Sequence, residues 1–143
     1  MILAVKIRLL PTPEQELLFW KSSGTARWSY NYFLSENTKL YQTYLKNNKQ
    51  GKSYISNYEI RKRITILKKT EYTWLKEVGS NVVKQAVKDA DKALSEFLQG
   101  KKGRPHYKSR HKSKISFYVN YETLKRTPTG FQGERLGNVK TCQ

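Results

Sequence analysis

The chain has 143 residues, enough for one compact domain, or one domain split by an insertion, with a core of its own. Lys and Arg number 28 against 11 Asp and Glu, a formal charge of +17, which gathers polyanions and makes nucleic acid the default partner. The 13% aromatic content, with 10 Tyr and 3 Trp, excludes a disordered basic tail, and the one cysteine, Cys142, excludes an intramolecular disulfide and a paired-cysteine zinc site.

Leu3, Val5, Ile7 and Leu9 alternate with Ala4, Lys6 and Arg8, which predicts a strand over residues 2–10 with one buried and one basic face. Lys6 and Arg8 also interrupt the apolar opening that a secretory signal would need, and no window approaches the ~18 apolar residues of a membrane span. A soluble, cytoplasmic protein is expected. Pro11 and Pro13 end the strand. Thr12 and Gln15 have capping-box spacing and Pro13 stands where the first helical residue needs no N–H donor, so a helix starts there. It is expected to reach about Ser22, with Gly24 breaking it from a longer second helix. On that second helix Ala26, Tyr30, Phe33, Leu40, Tyr41 and Tyr44 share one face, with Asn37 the polar interruption, and read as core.

Residues 47–53 form a polar loop, after which Tyr58, Ile60, Ile64 and Leu67 predict a third helix carrying Arg61, Lys62, Arg63, Lys68 and Lys69. Beyond a short Trp74-Leu75 contact, Ser80 is expected to cap a fourth helix. Its apolar face is Val83, Val87, Ala90, Leu94 and Phe97, and its other faces carry Lys84, Gln85, Lys88 and Lys92. Residues 100–114 are basic and aperiodic, a loop or tether. Ile115, Phe117, Val119 and Tyr121 then alternate with Ser116, Tyr118 and Asn120 as a strand, and further short strands are expected around Phe131 and Val139. The order gives an α+β, mainly helical chain: a first strand in 1–10, about four helices inserted over 11–99, the basic loop 100–114, and the remaining strands in 115–143. Residues 127–143 hold too few apolar positions to complete a barrel, and a truncated chain is expected.

Two-metal hydrolysis needs converging carboxylates. Asp occurs only at Asp89 and Asp91, two apart on a helix and so facing apart, each within reach of a Lys, and they read as solvated helix charges. His106 and His111 have no Cys, Asp or Glu beside them and read as phosphate contacts or exposed side chains. No phosphate loop, HExxH or GxSxG motif is present. No metal, no cofactor and no catalysis by this chain alone are therefore expected.

The binding candidates are spread along the chain. In the basic loop Lys101, Lys102, Arg104, Lys108, Arg110, Lys112 and Lys114 alternate with Gly103, Pro105 and Tyr107, a mix suited to tracking phosphates with an aromatic for stacking. On the fourth helix Lys84, Gln85 and Lys88 form a patch long enough to reach base edges. On the third, Arg61 and Lys62 are phosphate candidates, with Tyr54 and Tyr58 able to meet a base or sugar. Trp20, Trp28, Tyr30, Tyr32 and Phe33 crowd into adjoining amphipathic helices and read as core.

Five blocks in order, RLLPTPEQ (8–15), YNYFL (30–34), WLKEV (74–78), KDADKA (88–93) and the run from Phe97 through Gly103, Arg104 and Pro105 to Lys108-Ser109, resemble the amino-terminal region of the TnpB (OrfB) proteins of insertion sequences, relatives of type V CRISPR effectors. The resemblance implies a barrel-like wedge domain split by a helical recognition domain with a helix-turn-helix region, holding a guide RNA and reading a short transposon-adjacent DNA motif while base pairing supplies the remaining specificity. By position it makes Ser80, Asn81, Lys84, Gln85 and Lys88 the motif-reading candidates. It implies a prokaryotic, nucleoid-associated protein without the family's acidic nuclease domain and zinc-binding cysteines, partnered by DNA and RNA, with a homodimer or a separate nuclease-domain partner as further possibilities. The rivals are a stand-alone helix-turn-helix regulator of duplex DNA and a non-functional remnant.

Overall fold

The computed structural model describes residues 2–120 and 122–142. About half of the chain lies in three α-helices, α1 (Pro13–Lys46), α2 (Asn57–Lys69) and α3 (Ser80–Leu98), with a short 3-10 helix, Thr73–Glu77, between the last two. Four short strands, β1 (Leu9–Leu10), β2 (Lys125–Arg126), β3 (Gly130–Gly133) and β4 (Gly137–Thr141), make one antiparallel sheet in the order β1-β4-β3-β2. The chain is α+β, with strands at Phe131 and Val139 as expected.

The start of α1 follows its sequence signals. Thr12 is the N-cap, its hydroxyl accepts from Gln15 N (3.2 Å), and the Gln15 side chain accepts from Thr12 N (3.0 Å), a reciprocal capping box with Pro13 in the first turn. The expected break at Gly24 is absent: α1 runs unbroken through it, so the α-helices among the described residues number three and not four. A mid-helix Gly costs only about 1 kcal/mol relative to Ala, and tertiary packing overrides that. Ser22, Ser23, Thr25 and Ser29 around it are buried, and α1 packs along α3, which presents the small residues Val82, Val83, Ala86, Val87 and Ala90. The small polar stripe is tolerated in the interior because the hydroxyls satisfy themselves on the helix, Ser29 Oγ donating to Thr25 O (2.8 Å) and Ser23 Oγ to Trp20 O (3.0 Å).

The core is centred on Phe33, Leu34, Ile55, Ile60, Ile64, Leu75, Val83, Val87 and Ala90, so all three helices and the 3-10 helix contribute. Trp28 stacks on Tyr32 (5.0 Å) and meets Tyr72 and Trp74 edge-on (5.6 Å each), which docks the Trp74 block against α1. Tyr41, expected in the core, is 48% exposed, as is Trp20 at 50%. Each lies outside the stripe that continues from Ser22 and Thr25 through Ser29 and Phe33 to Asn37.

Asn37 belongs to that stripe for a reason other than hydrophobicity. Its amide accepts from Ile55 N (2.8 Å) and donates to Ile55 O (3.2 Å), pairing the buried backbone of the loop before α2 as a strand neighbour would. Asp91 of α3 binds the start of α2: one carboxylate oxygen accepts from Asn57 N (3.1 Å) and Asn57 Nδ2 (2.6 Å). Ser56 caps the helix from the other side.

Two expected strands are not formed as predicted. Residues 2–8 extend beyond the sheet, since β4 pairs only with Leu9 and Leu10, with Cys142 N adding one bond to Arg8 O (2.9 Å). Residues 115–120 make no ladder, and Phe117 instead meets Phe19 of α1 (5.7 Å); Tyr121 lies outside the described residues. The sheet is open, with β1 and β2 as its edges, so the barrel-like closure is not present among the described residues.

The turn between β3 and β4 is where the sheet meets the helices. Gln15 Nε2 donates to Leu136 O (3.2 Å) and Asn138 O (2.6 Å). Glu134 takes Ser80 Oγ (3.4 Å) and Asn81 Nδ2 (3.2 Å) at the start of α3. Burial lowers the pKa of Lys68 near the end of α2, helped by the Arg135 charge and opposed by Glu134. One hairpin turn thus binds the starts of α1 and α3 and sets its charges against the end of α2.

Candidate nucleic-acid interface

The basic segment 100–114 is not a free tether. From Arg104 onward it runs back along α1 in the opposite direction, and its contacts step down the helix in order. Arg104 to Tyr107 lie over Leu34, Thr38 and Tyr41. Lys108 then meets Asn31, whose amide accepts from Lys108 N and donates to Lys108 O (2.8 Å each). The Lys108 ammonium sits 4.3 Å above the ring of Tyr30, a cation–π contact. Arg110 and Ile115 reach Trp20, Ser23 and Arg27, and Phe117 reaches Phe19. We call this segment the strap. Ser109 and Ser113 close a small turn within it, Ser109 N donating to Ser113 Oγ (2.9 Å) and Lys112 N to Ser109 Oγ (3.0 Å).

Two Asn side chains six positions apart on α1 therefore do the same work, Asn37 for Ile55 and Asn31 for Lys108. A free backbone segment carrying this much charge would be extended by self-repulsion. The Asn31 clamp and the Tyr30 ring hold it on the helix, and Arg110 of the strap lines a small cleft with the half-buried Arg27 of α1. Lys101, Arg104, Tyr107, Arg110 and Lys112 are exposed along the strap or just before it, whereas Lys102 is held by Glu96 of α3 (3.1 Å).

On α3 the positions Asn81, Lys84, Gln85, Lys88 and Lys92 share one side of the helix, with Lys84 and Lys88 exposed to solvent and Gln85 donating to Asp89 (2.9 Å). The pKa of the Tyr30 phenol, whose ring Lys108 covers, is raised by burial and then by the Asp89 charge of α3.

Other candidates are placed differently. Ser80 does not cap α3; the N-cap is Gly79, without a side-chain bond, and the Glu134 carboxylate covers that end, where negative charge is favoured. Ser80 and Asn81 are thus engaged within the protein. Tyr54 packs edge-on to Phe33 (6.3 Å) and shares a hydrogen bond with Ser95 Oγ (3.3 Å), so its ring edge belongs to the core. Tyr58 is 66% exposed and carries the Arg61 guanidinium 4.9 Å over its ring, with Lys62 exposed beside it. Arg63, by contrast, is tied to Glu36 (3.3 Å) and Glu59 (3.4 Å). The two Asp side chains face apart, as expected, but their partners are Gln85 for Asp89 and Asn57 with Ser95 for Asp91, not Lys. Among the described residues no group of three His, Cys, Asp or Glu side chains is placed to hold a metal ion, and no helix is long and apolar enough to cross a membrane.

What sequence reasoning missed is the role of Asn31 and Tyr30, the strap's anchors. Their signal is an exposed-face amide and phenol within an aromatic-rich helix, which periodicity alone assigns to packing.

Residues 1–46 match the helix-turn-helix domain of OrfB proteins of IS605 type. In this chain that stretch holds β1 and most of its length as the single helix α1, with no turn inside it. The chain is 32% identical over 114 residues to a putative RNA-guided DNA endonuclease of Streptomyces pristinaespiralis, a match covering 79% of this chain and 27% of that protein. It is 31% identical over 120 residues to the virulence protein VsdF of Salmonella dublin, covering 78% of this chain and 96% of that protein. The chain thus spans about a quarter of the length of the first relative and nearly all of the second.

Proposed function

Since the chain belongs to the TnpB (OrfB) family of insertion-sequence proteins, we propose that it is a nucleic-acid-binding protein that holds RNA along the strap and meets a transposon-adjacent DNA motif with the exposed side of α3. The observation that carries this reading is the anchoring of the basic strap on α1, with Lys108 clamped by Asn31 and seated over Tyr30, while Lys84 and Lys88 stand exposed on α3. Charges so arranged follow a phosphate backbone, and side chains on a helix face reach base edges. In this reading residues 1–10 and 115–143 form one wedge-type unit, 11–99 the recognition part, and catalysis belongs to carboxylates outside this chain.

The assignment narrows the motif-reading set. Lys84, Gln85 and Lys88 carry it, and Ser80 and Asn81 support the helix end through Glu134. Arg61, Lys62 and Tyr58 on α2 contribute a separate phosphate contact.

The first test is co-purification. The chain is expressed with the transcript of its flanking transposon end, and the RNA retained at moderate salt is sequenced. One defined RNA species is the expected result, and recovery of only bulk, salt-labile RNA would overturn guide binding. Replacing Lys84, Gln85 and Lys88 together by Ala should flatten preference among DNA sequences more than it weakens non-specific binding; an equal loss on every sequence rejects the motif-reading role.

A second reading is favoured by the coverage of VsdF, a relative of nearly this chain's extent. In it the protein acts as a stand-alone binder of duplex DNA without RNA, and a palindromic footprint on naked DNA would select it.

A further inference from the structure

Where the strap crosses the far half of α1 it roofs a cleft of about 560 Å³. Of its lining, Leu34 is buried, Leu94, Tyr54 and Phe97 are half-buried, and Tyr41, Arg104, His106 and Tyr107 are exposed. The size falls within the range of small-ligand sites, roughly 300–1,000 Å³. Several of the large side chains left in solvent gather here: Tyr41 at 48%, Tyr107 at 56% and Leu98 at 65% exposed. None of the three belongs to the buried cluster centred on Phe33.

We propose that this cleft takes an unpaired base of a single-stranded RNA whose backbone lies on the strap. The proposal rests on the reading of the strap as an RNA site and extends it from phosphate to base. Three observations converge on this occupant. The lining is aromatic, which offers faces for stacking whatever the base. The lining is cationic at Arg104, and the exposed Lys101 precedes the strap, so a base that enters brings its phosphates to charges already in place. The strap's own residues Arg104 to Tyr107 also line the site, which suits a base splayed out of a single strand lying on the strap. An apolar peptide or lipid chain would find the same lining but gain nothing from those charges in a chain of +17.

The test uses the full chain and fluorescence anisotropy with two labelled RNA oligonucleotides of equal length, one of uridines and one abasic, so that phosphates match and bases differ. The wild type should bind the uridine oligonucleotide on the order of tenfold more tightly. Tyr41→Ala with Tyr107→Ala should remove most of that advantage and leave the abasic affinity unchanged, while Arg104→Ala should weaken both oligonucleotides alike. Both Tyr side chains are about half exposed, so the fold should survive, and Thr38→Trp, which fills the cleft, gives a second route to the same loss. Persistence of the full base advantage in both variants overturns the cleft assignment and leaves strap binding standing. Failure of the wild type to bind either oligonucleotide overturns the strap reading itself. A deoxyuridine oligonucleotide that shows an equal or larger base advantage overturns the choice of RNA.

Discussion

At Asn37 a polar side chain does the job of a neighbouring strand, and its energetic weight follows from where it sits. Ile55 is 2% exposed and both of its backbone groups end on this one amide. Asn37→Leu keeps the volume but leaves a buried N–H and C=O without partners, and should cost about 2–4 kcal/mol in urea unfolding. The same substitution at Asn31 strips an exposed clamp from Lys108. It should change global stability by less than about 1 kcal/mol while faster hydrogen exchange and proteolysis appear in residues 106–110. The tyrosines beside these residues carry the pH response. Burial raises the pKa of Tyr30, with Asp89 adding to it, and burial followed by Glu36 raises that of Tyr32. A raised folded value means stability present in full below the ordinary phenol pKa and lost as pH climbs through the folded one. Thermal melts should therefore fall on the alkaline side of pH 10, and Tyr30→Phe with Tyr32→Phe should flatten that fall.

Elements differ in how openly their sequences announce them. The beginning of α1 is legible because Thr12, Pro13 and Gln15 act locally, as is the course of α3, whose apolar face is continuous. The continuity of α1 through Gly24 is not, because it depends on contact with α3 some sixty positions away. Gly24→Ala tests this directly: the new methyl would approach nothing nearer than Arg27 Nη2 at 3.8 Å. It should stabilise the protein by about 0.5–1 kcal/mol, where a true hinge would instead lose stability. Gly130→Ala runs the other way, since its Cβ would collide with the Val139 carbonyl oxygen across the β3–β4 pair. That variant should lower the melting temperature by several degrees. Residues 2–8 and 115–120 look like strands because alternation is a property of the segment, whereas pairing is a property of the partner, and β4 reaches only to Leu9 and Leu10.

Across the whole molecule, the sequence foretold that cations would be plentiful but not that they would be arranged. Residues 104–117 carry Arg104, Lys108, Arg110, Lys112 and Lys114, and Asn31, Tyr30 and Phe19 give this segment a path. The path was hidden because its anchors lie on a different element and look like ordinary helix residues. Binding of single-stranded RNA should weaken steeply with salt. Replacing Arg104, Arg110 and Lys112 by Ala should reduce the slope of log affinity against log salt by about two, at ~0.7 per phosphate contact released. An unchanged slope would mean that the phosphates lie elsewhere.

The unbroken length of α1 has a mechanical corollary. Its 34 residues span about 50 Å at 1.5 Å each. Gln15 pins one end to the hairpin turn, and Asn31 and Asn37 grip the strap and the loop before α2 farther along. A rod clasped at three stations keeps them at constant separation. The helix therefore fixes the spacing between the sheet end, the strap and the loop before α2, and a strand bound as proposed would be measured against that spacing.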